Sequence, residues 1–168
     1  MNIFTDIAEV MKQPTCIVGA GNYFKKDDAA GLYIFDEVSG KVETPGVVFV
    51  NAEDVIEAYV FKIAEMDAKN VVIIDAVQSQ TLPGSVMFGK LRDMEGAVNN
   101  YSTHKLSMKL AARILEEHGK QVYLLGIEAE DINFGSGLSA EVKKSADIIK
   151  EFLIDTLRCS GKERNYEQ

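Results

Sequence analysis

Apolar residues recur along the chain in two different periods that alternate with each other. Short runs that are apolar on both faces are typical of buried parallel strands, and stripes with a period of 3.6 predict amphipathic helices. The pattern therefore predicts an α/β fold: a three-layer sandwich with a twisted, mostly parallel sheet of about five strands and helices on both faces. Strands are predicted at 15–18, 47–50, 71–74, 86–88 and 122–125, and helices at about 2–11, 28–38, 54–66, 106–118 and 140–157.

Turn and cap signals refine this layout. Pro83-Gly84 marks a turn, so residues 86–88 are predicted to fold back as one antiparallel edge strand. Gly40 is expected to end the second helix as its C′ residue, and Ser139 to cap the last one. We expect a single domain over residues 1–168, with an extra N-terminal helix within 1–14 and a flexible tail at 159–168.

Charge and length exclude several classes of function. The 168 residues carry a net charge of -8, and a nucleic-acid-binding protein would instead need a basic surface. The N-terminus carries acidic residues where a signal peptide needs basic ones, and no apolar run approaches the roughly 20 residues that span a bilayer. We therefore expect a cytoplasmic monomer with neither a nucleic-acid nor a membrane partner.

Nucleophilic catalysis by serine or cysteine is disfavoured. The sequence contains no G-x-S-x-G motif, which in many hydrolases presents the serine nucleophile. Cys16 and Cys159 lack C-x-x-C spacing and a neighbouring histidine. Cys16, within a predicted strand, is interpreted as a small buried hydrophobe. Cys159 carries no functional signal.

The turn after the first strand, Gly19-Ala20-Gly21-Asn22-Tyr23-Phe24, resembles the start of a dinucleotide-binding loop. Phe24 stands where the third glycine of that motif belongs. The next helix then opens with Asp27 and Asp28, whose carboxylates would repel a phosphate at the helix N-terminus. A nucleotide-binding α/β protein is therefore a weak alternative. The acidic pair could equally cap the helix and complement its dipole.

Two further residues are candidates for metal binding. Asp75 directly follows the apolar run 71–74, so it lies at the carboxyl end of a strand, where open α/β folds bind ligands. His104 begins a helix, which favours a neutral ring able to ligate a metal, whereas His118 ends the same helix. Together with Asp28 they form a ligand set suited to a divalent transition ion. Simpler alternatives are that Asp75 caps a turn and that His104 is a surface residue without a role.

Four segments, in order, resemble the nickel-iron hydrogenase maturation endopeptidases. The first is similar to the family signature G-x-G-N-x-x-x-x-D-[DE]-x-x-G, and the other three are similar to its second, third and closing motifs. Together they span residues 15 to 142. The segments are Gly19-Ala-Gly-Asn-Tyr-Phe-Lys-Lys-Asp-Asp-Ala-Ala-Gly31, Val71-Val-Ile-Ile-Asp-Ala76 with Pro83-Gly84, Ser102-Thr-His-Lys-Leu106, and Gly126-Ile-Glu with Gly137-Leu-Ser-Ala-Glu-Val142.

The resemblance implies a function and a site. Asp28, Asp75 and His104 would be the catalytic, metal-binding triad, and Asp27 would orient the loop or act as a base. The partner would be the precursor of a [NiFe] hydrogenase large subunit, which supplies the nickel and loses a C-terminal extension, and no organic cofactor is expected. A non-catalytic nickel checkpoint or metallochaperone of the same fold is the main alternative.

Overall fold

The computed structural model describes residues 2–94 and 105–166. Its strands are β1 (Thr15–Ala20), β2 (Val47–Glu53), β3 (Asn70–Val77), β4 (Val86–Lys90) and β5 (Gln121–Glu128). Its α-helices are α1 (Ile3–Met11), α2 (Ala30–Lys41), α3 (Val60–Glu65), α4 (Lys105–Glu117) and α5 (Ala140–Tyr166). Short 3₁₀ helices span Lys26–Ala29, Ile56–Ala58 and Leu91–Met94.

The five strands form one mixed sheet in the order β2-β1-β3-β5-β4. Strands β2, β1, β3 and β5 are parallel, and β4 pairs antiparallel with β5 at the edge. The predicted α/β class, strand number and antiparallel edge strand are confirmed. Because the four parallel strands all end on the same side, the connections that leave them gather at one edge, which we call the carboxyl edge.

Hydrophobic cores lie on both faces of the sheet, since successive side chains of a strand point to opposite faces. In β3, Val72 and Ile74 pack with α1, α2 and α5, whereas Val71 and Ile73 pack with α3 and α4. The sheet is therefore the middle layer of three, as predicted. Within the described residues, no helix is long and apolar enough to cross a membrane.

Three helices differ from their predicted bounds. The second begins with the 3₁₀ turn Lys26–Ala29 and continues to Lys41, so Gly40 lies inside it and the C′ prediction is wrong. The segment 54–66 is not one continuous helix but contains the 3₁₀ turn Ile56–Ala58 and the short helix Val60–Glu65, which are separated at Tyr59. Helix α5 extends to Tyr166 and includes residues 159–166, which the sequence predicts to be a flexible tail.

Candidate active site

Helix α2 approaches the sheet most closely at Gly31. A Cβ atom at this position would lie 2.3 Å from the carbonyl oxygen of Ile74 and 2.8 Å from that of Ala20. Both distances are far below van der Waals contact, so only glycine fits between the ends of β3 and β1. This close approach brings Asp28, three residues earlier, toward Asp75, the residue that follows Ile74.

Gly21 makes a second close backbone contact, with the segment that carries Asp28. Its φ is +135°, which favours glycine, and a Cβ atom there would lie 2.0 Å from the carbonyl oxygen of Asp28. The second glycine of the loop thus permits contact with the chain's own backbone. A Cβ atom at Gly19 would likewise lie 2.6 Å from the Phe35 side chain. Both glycines of the loop therefore have a packing role, which removes the main support for a nucleotide-binding loop.

Asp75 is a buried carboxylate with an unsatisfied atom. The residue is 2% exposed, and its Oδ1 has no hydrogen-bond partner among the described residues. Burial, and then the nearby charge of Asp28, raise the pKa of Asp75 well above its ordinary value, although the Ala76 amide acts in the opposite direction. Buried polar atoms are nearly always paired, so an unpaired oxygen beside a second carboxylate marks this position as the candidate site.

Asp27 is buried as well, but its oxygens are fully used. Its Oδ2 accepts hydrogen bonds from the amides of Glu130 and Asp131, both at 2.9 Å, and from the Ser139 hydroxyl at 2.7 Å. Its Oδ1 accepts one from the Ser139 amide at 2.7 Å. The carboxylate therefore fixes the connection between β5 and α5 against the segment that carries Asp28.

Glu128 is a third buried carboxylate at this edge and was not among the residues predicted from the sequence. It is 3% exposed and ends β5, where its two oxygens accept bonds from the amides of Ser79 and Gln80 and from the Ser79 hydroxyl at 2.6 to 3.0 Å. It thus holds the connection that follows Asp75. The signal was available, because Glu128 follows an apolar strand just as Asp75 does.

Replacing Asp27 with asparagine is expected to lower the free energy of unfolding by roughly 2 to 4 kcal/mol, because an amide group cannot accept all four bonds. Hydrogen exchange at the amides of Glu130, Asp131 and Ser139 should become faster. Asp67→Asn, at an exposed position, is the control and should change neither quantity. Unchanged exchange in the Asp27 variant would show that the carboxylate does not fix this connection.

The third predicted metal ligand is not among the residues that the structure describes. His104 lies outside the described residues, as do Ser102 and Thr103, and α4 begins at the next residue, Lys105. Among the described residues, no group of three or more His, Cys, Asp or Glu side chains could hold a metal ion.

Cys16 is fully buried, as predicted, and burial raises its pKa to about 12, which makes it unreactive.

Comparison with known proteins identifies the family. A family model described as hydrogenase maturation protease matches residues 28–156, which is more than half of the chain. The chain belongs to the hydrogenase maturation protease family. It is thus an endopeptidase-type hydrolase, and family membership favours this function over the nucleotide-binding and non-catalytic alternatives.

Individual relatives agree with this assignment. The protease is 28% identical over 151 residues to a Methanocaldococcus jannaschii protein provisionally named a hydrogenase maturation protease, covering 84% of this chain and 86% of the relative. It shares its fold with the [NiFe] hydrogenase maturation protease HycI of Thermococcus kodakarensis at a TM-score of 0.77, 24% identity and coverage of 91% and 99%. The E. coli hydrogenase maturating endopeptidase HybD aligns at a TM-score of 0.74, 22% identity and coverage of 88% and 93%.

Proposed function

We propose that this protease removes the C-terminal extension from the nickel-loaded precursor of a [NiFe] hydrogenase large subunit. Asp28, Asp75 and His104 would contact the nickel ion that the precursor carries, so that only a loaded precursor is positioned for cleavage. The metal belongs to the substrate in this scheme. The single observation that carries the proposal is the unpaired, buried oxygen of Asp75 beside the carboxylate of Asp28.

The electrostatics of the two aspartates support a cationic substrate group. Asp75 is buried and Asp28 half-buried, and two neighbouring carboxylates destabilise each other when both are ionised. A divalent ion between them would relieve this repulsion and provide the partner that Asp75 Oδ1 lacks. Carboxylate oxygens together with one imidazole also suit a divalent transition metal that keeps open positions for other ligands.

The chain direction supports His104 as the third ligand. Helix α4 ends at Glu117, and β5 begins at Gln121 beside Asn70, at the amino ends of the parallel strands. Thirteen helical residues rise about 20 Å, so the helix begins near the carboxyl edge. Asp75 alternates with Ile73 and so points to the face that α4 covers. The start of α4 thus lies on the same side of the sheet as the Asp75 side chain, and this supports the choice of His104 for the proposed ligand set.

Cleavage consists of adding water across one peptide bond. The water oxygen attaches to the carbonyl carbon, the C–N bond breaks, and the departing nitrogen takes a proton. Asp27 is better suited to fix the adjacent connection than to act as the base, since it would first have to release one of its four hydrogen bonds. We therefore assign it a positioning role.

Incubation with nickel-loaded and metal-free precursor tests the proposal. We expect mass spectrometry to show loss of the extension only from the loaded precursor, and His104→Ala to leave it uncut. Because His118 is exposed and its ring bonds Ile114 of its own helix, His118→Ala is the matched control and should cleave normally. Cleavage by the His104 variant at the unaltered rate would remove that residue from the site.

The same incubation separates the non-catalytic checkpoint from the protease. A checkpoint protein would bind the loaded precursor and leave its mass unchanged. An intact precursor in both samples, with binding still detected, would therefore contradict the proposed function while leaving recognition of nickel in place.

A further inference from the structure

Two phenylalanines are exposed beside the acidic pair. Phe24, in the connection after β1, is 75% exposed, and Phe134, in the connection after β5, is 78% exposed. Aromatic side chains gain much from leaving water and dominate the energetics of protein interfaces. Two that remain in water next to a candidate active site therefore indicate a surface that another molecule covers.

The two phenylalanines belong to one patch, because their connections are hydrogen-bonded to each other. The Gly135 amide donates to the carbonyl oxygen of Phe24 at 2.9 Å, and the Lys26 amide donates to the carbonyl oxygen of Gly135 at 3.2 Å. The ammonium group of Lys25 lies 5.4 Å from the centroid of the Phe134 ring. We call Phe24, Lys25 and Phe134 the aromatic rim.

The aromatic rim is held in place before any partner arrives. The four hydrogen bonds to Asp27 fix the connection after β5, and an ion pair joins Lys26 to Asp131. A surface fixed in advance loses little conformational entropy on binding, which is a property of prepared interfaces. Loosely held loops with the same residues would bind more weakly.

The rim is continuous with the acidic pair. The amide of Asp28 donates to the carbonyl oxygen of Lys25 at 2.9 Å, so the rim and Asp28 are connected by a single turn of backbone. The substrate of a protease is a polypeptide. A polypeptide that reaches Asp28 can therefore extend over the rim without a gap.

The charge of the rim indicates which residue types the bound polypeptide contains. Lys26 is neutralised by Asp131, whereas Lys25 forms no ion pair within the part of the chain that the structure describes. On a protein whose net charge is -8, a cation beside the Phe134 ring and next to Phe24 in sequence fits an apolar group that neighbours a carboxylate.

We propose that the aromatic rim binds a segment of the large-subunit precursor in which an apolar side chain neighbours an acidic residue. The inference rests on the proposed function, because the precursor is the occupant. Phe24 and Phe134 would cover the apolar side chain, and the Lys25 ammonium would pair with the carboxylate. The rim would thus recognise sequence, separately from the recognition of nickel by Asp28 and Asp75.

Binding of full-length protease variants to immobilised, nickel-loaded precursor tests the rim. Each of Phe24→Ala and Phe134→Ala should weaken binding about tenfold, and the double variant further, as truncation of a central interface aromatic does. Lys25→Gln should weaken binding and reduce its salt dependence, because it removes one screened charge pair. In cleavage assays KM should rise while kcat changes little, since the rim does not contact the reacting atoms.

Ile148→Ala is the matched control, because Ile148 is 52% exposed and lies on α5, eight residues after its start. It should bind and cleave like the unaltered protein. Thermal melting of the Phe24, Phe134 and Ile148 variants should match that of the unaltered protein, because these three side chains are exposed. If Phe134→Ala has a lower melting temperature than the unaltered protein, the Lys25→Glu variant provides the test of the rim instead. Its reversed charge should weaken binding to the precursor more than Lys25→Gln does.

The outcomes separate the rim from the proposed function. A double variant that binds and cleaves with unaltered affinity and KM would overturn the rim and leave the function standing. Unaltered protein that binds the precursor through the rim but does not cut it would support the rim and contradict the function. Failure of the unaltered protein to bind the precursor would overturn the rim.

Discussion

Replacing Asp75 with asparagine is expected to abolish processing and, at the same time, to make the protein more stable. Activity should fall at least about 100-fold, more than the loss of a residue that only orients a metal ligand causes. The free energy of unfolding at neutral pH should rise by roughly 1 to 2 kcal/mol, as for other single stabilising substitutions. Asparagine has nearly the same shape but removes a buried carboxyl group whose Oδ1 lacks a partner and whose ionised form is disfavoured by burial and by the charge of Asp28.

The stabilisation should depend on pH. In the unfolded chain Asp75 has an ordinary pKa of 3.8, and folding raises it. As the pH rises above about 4, the unfolded chain releases this proton while the folded protein retains it, so the folded state loses stability until its own pKa is passed. Denaturant titrations of both proteins should therefore agree near pH 4 and diverge toward neutral pH, with the asparagine variant more stable.

Glu128→Gln is the matched control for Asp75→Asn. Glu128 is buried at the same edge, but its oxygens accept four hydrogen bonds, so its replacement should lower stability instead. Opposite signs for the two substitutions would support the assignment of Asp75 to ligand binding and Glu128 to loop positioning. Destabilisation of the Asp75 variant by as much as the Glu128 variant would contradict it.

The second large effect is expected at Gly31. Alanine is normally a better helix residue than glycine by about 1 kcal/mol. At Gly31, however, the added Cβ would lie 2.3 Å and 2.8 Å from two carbonyl oxygens of the sheet, and neither backbone can move aside as a flexible side chain would. We expect Gly31→Ala to lower the free energy of unfolding by roughly 3 kcal/mol, the upper end for overpacking, and to reduce cleavage by moving Asp28 away from Asp75.

Gly40 provides the control within the same helix. A Cβ atom at Gly40 has no neighbour within 4 Å, so Gly40→Ala should raise the free energy of unfolding by roughly 0.5 to 1 kcal/mol. Urea denaturation measures both variants under identical conditions. If Gly31→Ala were as stable and as active as Gly40→Ala, the close approach of α2 to the sheet would have no role in the site.

The fold was predictable because its strands are buried on both faces. Runs such as 71–74 have no polar face, which is the mark of a central parallel strand, and Pro83-Gly84 reverses the chain before β4. Helix ends were less predictable. Gly40 has the residue type of a helix terminus, yet packing of α2 against the sheet carries the helix to Lys41, and tertiary contacts of this kind leave no local signal.

The site was predictable only in part, for a physical reason. Asp28 lies in the turn that leads into α2 and Asp75 near the carboxyl end of β3, and parallel topology brings such positions to one edge. The different roles of the buried carboxylates could not be predicted from the sequence. Asp27, Asp75 and Glu128 are all acidic residues at this edge, and only the hydrogen bonds of the folded chain distinguish the two that hold loops from the one with an unpaired oxygen.

The contacts of Asp27 also limit the order in which the site can be built during synthesis. Its partner Ser139 is 112 residues further along the chain, and contacts between distant residues form late because a long loop must first close. A nascent chain that stops before residue 130 already contains β1, Asp27 and Asp28 but lacks every group that bonds the Asp27 carboxylate, and the two groups of Ser139 are the last to be made. We therefore expect the four bonds of Asp27 to be complete, and the segment that carries Asp28 to be fully ordered, only after α5 has begun to emerge.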